Sequence, residues 1–305
     1  MDTRFVGWFV VTVTLIALLL NLVRLFTARP LDRVARAARW RAVLTTVVGA
    51  VVATQVARAA WTRDDSVWVA TVPALAAAAG VIIAIMGERT LPRARRDTGT
   101  VRTAFLGMRT GLDTRGLERC FWAGLFISAL ALAVGWASSG PDGRSGARTW
   151  AEQVVTGTPY PGRAFTAPVL LGFVVLGLVT WAALRAIDAR PALNPDEPDL
   201  DRALRLGSRI RVLRWSAGAA LVTGGSLCLT IGMTMNDVTQ RLRIATEAAP
   251  RAPWDWPQNG ALAMSALGVV ALMAALVAVL WDAPVIPRAR GADVAQESAT
   301  SRVGR

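Results

Sequence analysis

The chain is predicted to be an all-α, polytopic bundle of transmembrane helices, and two observations carry that expectation. Its apolar residues come in charge-free blocks rather than amphipathic stripes, and its basic segments alternate with those blocks. Of its 305 residues, 53% are hydrophobic. A run of roughly 17 to 25 apolar residues, rising 1.5 Å each, crosses a hydrocarbon layer about 30 Å thick. Seven such spans are expected, at 5–26, 42–60, 67–86, 120–138, 166–185, 212–235 and 260–281. They form one transmembrane domain over 1–286, followed by a tail at 287–305 whose small, polar composition predicts disorder on the cytoplasmic side. The second span needs Arg58 at an interface, where its long side chain can snorkel. The first has Asp2 and Arg4 ahead of its apolar run and no small-residue cleavage site before Asn21 and Arg24, so it is expected to be a retained helix rather than a removed leader.

Charge sets the expected orientation. The formal charge of +13 would suit a nucleic-acid binder, but its distribution favours a membrane explanation. With the loop after the first span on the inside, that face holds 25 arginines against 13 acids, and the other face 9 against 8. Cytoplasmic loops retain cations, so the N-terminus is expected outside and the C-terminus inside. No nucleic-acid partner is implied.

The inner loops contain a recurrence. "VRTAFLGMRT" at 101–110 and "DRALRLGSRI" at 201–210 share the frame Arg, three residues, Leu-Gly, one residue, Arg. Each follows an entering span with a proline near its outer end, Pro73 and Pro168, which predicts a parallel repeat of helical hairpins. Each segment also reads as a short amphipathic helix. Arg102 and Arg109 stand apart from an apolar stripe in one copy, and Arg202, Arg205 and Arg209 in the other. Such helices lie in the interface with arginines on anionic headgroups, at about 1 kcal/mol each. They can also dock a cytoplasmic protein. Gly107 and Gly207 would bend these helices or admit close backbone contact.

Small residues at intervals of four predict the packing faces. Ser216, Ala220, Gly224, Cys228 and Gly232 fall so on the sixth span, Thr45, Gly49, Ala53 and Ala57 on the second, and Ala76, Gly80 and Ala84 on the third. Between helices in lipid, association rests on close backbone approach, so Gly49, Gly80, Gly224 and Gly232 are expected at helix contacts. The same faces admit self-association into a homo-oligomer. The loops at 139–165 and 236–259 are long enough to fold over the bundle; their aromatics, Tyr160, Trp254 and Trp256, would mark the headgroup belt or line a ligand-capturing lid.

Chemistry is mostly excluded by what the chain lacks. Without histidine there is no histidine-ligated zinc, no Ser-His nucleophile pair and no histidine relay. No carboxylate falls inside a span, so an intramembrane carboxylate site has no ligand; Glu88, Asp188 and Asp282 sit at inner boundaries. A retinal Schiff base and a Walker phosphate loop both need a lysine, and there is none. Two cysteines, Cys120 and Cys228, differ too much in depth to pair. "DGRSGAR" at 142–148 approaches the motif of enzymes that transfer phosphoalcohols, but its spacing fails by one residue, and it reads as a glycine-rich turn. No cofactor, metal or catalytic residue is expected, and the protein is not expected to be an enzyme.

"GERTLPR", "VRTAFLGMR", "YPGRAFTAPVLLG" and "RALRLGSRIRVLR" together resemble a family of uncharacterised bacterial multi-spanning integral membrane proteins, over roughly residues 67–214. The resemblance implies an architecture and a place in the bacterial cytoplasmic membrane, with no activity attached. Two functions fit. One is a non-enzymatic partner or regulatory subunit whose basic inner loops dock lipid headgroups or a cytoplasmic protein. The other is a permease or exporter subunit for an apolar or cationic small molecule, with or without a separate ATPase subunit.

Overall fold

A computed structural model describes residues 70–89, 114–150, 153–158, 160–190, 198–245 and 255–280, with isolated helical positions between 40 and 58. It contains five helices and one hairpin: α1 (Val72–Arg89), α2 (Arg115–Ala137), β1 (Gly146–Trp150), β2 (Gln153–Gly157), α3 (Arg163–Asp188), α4 (Pro198–Ala245) and α5 (Asp255–Leu280). These helices overlap the expected spans from 67–86 onward. Four of them, α2 to α5, are long and apolar enough to cross a membrane, whereas the apolar part of α1 covers only Val72–Met86. The expected first span and the 287–305 tail lie outside the described residues, and the second span is described only at its isolated positions.

Contacts give the directions of the helices. Gly124 of α2 meets Ala220 and Leu221 of α4, and Gly135 lies by Ile231, so α2 and α4 run the same way. Gly218 meets Val279 and Gly225 meets Gly268, so α5 runs against α4. The Thr180 and Ser216 hydroxyls bond at 2.7 Å, and Arg209 reaches Asp188, which sets α3 against α4 as well. The end of α3 therefore lies beside the arginine-rich opening turns of α4, and the end of α5 beside Arg214 and Gly218. One apolar cluster near that end gathers Leu117, Leu176, Leu213 and Ala275, and another, toward the hairpin, gathers Leu132, Val169, Ile231 and Tyr160.

Small residues let α4 act as the hub. Every residue of the predicted stripe, Ser216, Ala220, Gly224, Cys228 and Gly232, is buried. Residues four apart advance about 40° around a helix, so the stripe coils across its neighbours rather than facing one of them. Ser216 meets α3, Gly224 packs on Gly124 and Ser128 of α2, and Gly232 on Ala261 and Ser265 of α5. A Cβ on Gly224 would stand 2.7 Å from Ser128 Oγ, and one on Gly225 2.9 Å from the Gly268 carbonyl oxygen. Gly80 is buried in α1, while Gly49 lies outside the described residues.

One expectation is corrected. The 201–210 segment is not a separate interfacial helix: it forms the opening turns of α4, which continues unbroken for 48 residues. Ala, Leu and Arg are strong helix formers, and no proline interrupts the run after Pro198, so nothing stops the helix at the expected boundary. Gly207 neither ends it nor meets a neighbour, since nothing lies within 4 Å of a Cβ built there. The partner copy at 101–110 lies outside the described residues. The architecture is mostly helical, as expected of an all-α bundle, with one small addition. The 139–165 loop holds an antiparallel hairpin with Gly146 opposite Gly157 and Trp150 opposite Gln153. "DGRSG" makes the turn leading into it: the Asp142 carboxylate accepts from the Ser145 amide and hydroxyl at 3.0 and 2.7 Å, and Gly143 takes φ 66°, which favours a residue without Cβ.

Candidate functional site

The arginine-rich end of α4 carries the densest polar chemistry among the described residues. Asp201, 8% exposed, accepts from Arg190 at 3.2 Å and from Arg205, one turn along α4, at 2.6 Å. Arg205 also donates to the backbone oxygens of Asp188 and Arg190, at 3.1 and 2.7 Å, and Arg209 pairs with the Asp188 carboxylate at 3.3 Å. The last carbonyls of a helix have no partner within it and carry partial negative charge, so guanidinium groups are well placed there. Arg214 does the same for α5, donating through Nε at 2.9 Å, and through a second nitrogen, to the Val279 carbonyl. Arginines of α4 thus close the ends of both antiparallel neighbours.

This changes the role of the predicted docking residues. Arg205 and Arg209 bind the end of α3 and are not presented free to a partner. Arg202 is half-buried and also engaged, and Arg102 and Arg109 lie outside the described residues. The sequence pattern marks the arginines at 202, 205 and 209 but not Arg190, Asp201 or Arg214. Asp201 gave a local signal, standing four residues before Arg205. The links to Arg190 and Val279 had none, because they join residues 11 and 65 positions apart.

Tyr160 belongs in the core. It is fully buried, and its ring lies against Gly146, where a Cβ would come within 3.0 Å. The Ser138 hydroxyl donates to the Val134 carbonyl, leaving its oxygen to accept from the Tyr160 phenol. Burial raises the Tyr160 pKa above its usual value, against the pull of Ser138 and of the Arg148 guanidinium. Burial likewise lowers that of Arg148. Asp142 is held below the usual carboxylate range, chiefly by the Ser145 hydroxyl. Buried under the hairpin, Tyr160 cannot be a surface aromatic that captures a ligand. Trp254 lies outside the described residues, and Trp256 is placed only by its backbone, in the first turn of α5.

The exposed apolar side chains mark a belt. Trp122, Phe126, Leu170, Leu171, Val174, Leu178, Val270 and Met273 all face outward. Arg163 lies over Trp136 at 5.7 Å near the hairpin, and Arg185 over Trp181 at 5.6 Å near the other end. Arg163 and Arg185 are 22 residues apart on one helix, or about 33 Å, close to the thickness of a hydrocarbon layer. Cation–aromatic pairs at both edges suit an interface where one end of the ring is apolar and the other wet. Among the described residues, no group of three or more metal-binding side chains comes together. Comparison of the chain with protein-family models, characterised proteins and solved structures yields no match.

Proposed function

We propose that the protein is a seven-span, non-enzymatic subunit of the bacterial cytoplasmic membrane, N-terminus outside and C-terminus inside, whose arginine-rich end is a cytoplasmic platform for a partner protein. The carrying observation is the length of α4. Its 48 residues extend about 72 Å, more than twice the hydrocarbon thickness, and Pro198 to Arg214 alone contribute about 24 Å. That third is tied to the end of α3 by Asp201, Arg205 and Arg209, so it projects as a rigid post. The stripe that a solute path would use is filled by backbone contact with α2 and α5, which favours a scaffold over a permease.

Orientation and docking are tested separately. In a background with Cys120 and Cys228 replaced, a cysteine at 202 should react with an impermeant maleimide only after the cells are opened, and one at 144 in intact cells. The reverse pattern would invert the topology. Gently solubilised membranes should yield one reproducible cytoplasmic protein, lost when Arg102, Arg109 and Arg202 become Gln. Unchanged recovery would refute docking through these arginines.

A further inference from the structure

We infer that the free edge of β2, at the end of the bundle opposite the arginine network, is a docking site for one extended segment of a partner protein, which adds to the hairpin as a third strand. The pairing register decides which backbone groups are free. Gly146 stands opposite Gly157, Arg148 opposite Val155 and Trp150 opposite Gln153. The Ala147 amide donates away from β2, to the Ser138 carbonyl, so the odd-numbered residues of β1 turn outward and the even-numbered ones bond to β2. Val154 and Thr156, opposite Thr149 and Ala147, therefore turn their N–H and C=O groups away from β1. Among the described residues these groups have no hydrogen-bond partner. Natural edge strands are guarded by charge, proline or a bulge, and β2, Gln-Val-Val-Thr-Gly in unbroken register, has none of these.

Position and symmetry select the occupant. Gly135 of α2 lies by Ile231 and precedes Trp136 of the belt edge, so α4 continues about 20 Å past the hydrocarbon to Ala245. Gly157 rests on Thr234 and Val238, which seats the hairpin on that outer stretch, where lipid tails do not cover it. β1 also packs on α4, yet Met233, Asp237, Arg241 and Ile244 on the neighbouring flank stay exposed, Ile244 to 76%. β1 therefore lies on the other side of β2, and the free edge overlooks this flank. A strand laid there bonds to the backbone of Val154 and Thr156 and sets alternate side chains against Met233 and Ile244. The segment that fits is extended, free of proline across the paired residues, and apolar on the face turned to α4. A second copy of the chain does not fit. A two-fold axis pairing β2 with β2 antiparallel runs along the sheet normal, which at Gly157 points into the flank of α4 and so lies in the membrane plane. That axis would insert the second copy upside down. The inference uses the opposite end of the bundle from the cytoplasmic platform and rests on the proposed orientation only in placing the partner outside.

The test places the photo-crosslinker benzoylphenylalanine at position 154 or 244 of the full chain in intact cells, with position 259, exposed in the opening turns of α5, as control. The first two should capture the same protein through one stretch no longer than a strand, about ten residues, and the control should not capture that stretch. Thr156→Pro removes an N–H on the open edge and should abolish capture at 154, whereas Thr156→Ala keeps that N–H and should retain it. Thermal unfolding in detergent checks that both variants fold. A synthetic peptide of the captured stretch should bind the purified full chain. N-methylation of its edge-facing amides should weaken binding about 10-fold or more, and N-methylation of the alternate amides should change it little. This arm leaves the chain unaltered, so it decides the matter if Thr156→Pro does not fold. Capture of no protein, capture that survives Thr156→Pro in the folded variant, or a peptide indifferent to N-methylation would overturn the docked strand. Cross-links to a second copy of the chain would overturn it in favour of self-association. Failure of capture at the arginine end would leave these results standing.

Discussion

Replacing Gly232 with alanine measures how tightly α4 and α5 are joined. A Cβ at that position would stand 2.5 Å from the Ala261 carbonyl oxygen and 2.6 Å from the Ser265 amide nitrogen, against the 3.4 Å at which ordinary contact begins. Both are backbone atoms and cannot rotate away, so α5 has to withdraw by close to 1 Å. A gap of that size forfeits a quarter to a half of the local dispersion energy, and overpacking of this kind costs about 1–3 kcal/mol. Gly207→Ala is the matched control, on the same helix with nothing within 4 Å of its added Cβ. There alanine only restricts the unfolded chain and should stabilise by about 0.5–1 kcal/mol. At roughly 2 °C per kcal/mol for a chain this large, the two variants should unfold about 5 °C apart in detergent, Gly232→Ala below wild type and Gly207→Ala above it. Equal unfolding temperatures would refute glycine-mediated contact between α4 and α5.

The polar network yields further expectations. Asp201→Asn leaves the buried Arg190 guanidinium without that carboxylate and should destabilise by about 3 kcal/mol, with a coupling to Arg205→Gln in a double-mutant cycle. Arg214→Gln removes the donor to Val279 and should cost about 1.5–3 kcal/mol, accompanied by faster hydrogen exchange in the last turn of α5. Tyr160→Phe should cost about 1 kcal/mol at neutral pH through the lost bond to Ser138. The folded pKa of Tyr160 lies above its usual value of 10.0, so its contribution is full below pH 10. Above that the unfolded chain ionises first, and wild-type stability should fall with rising pH; in Tyr160→Phe this component of the fall should vanish.

The helical character of α1 to α5 and the burial of the Ser216–Gly232 stripe were legible in sequence, because hydrophobic run length and four-residue spacing are local properties. Boundaries were less so. The apolar run ends near Arg214, but the helix does not, since arginine and leucine propagate an α-helix as readily outside lipid as within it. The arginines at 202, 205 and 209 were visible as a cluster, and their amphipathic spacing predicted a surface role. Only the tertiary structure placed the end of α3 beside Arg205 and Arg209 and the end of α5 beside Arg214, turning apparent surface charges into partners for those helix ends. The same holds for Tyr160: next to proline and glycine it reads as a surface aromatic, and it is buried because the hairpin returns over α4 and seats Gly157 on Val238. Composition decides which segments avoid water, whereas the partner of each guanidinium and phenol depends on residues tens of positions away that only packing brings together.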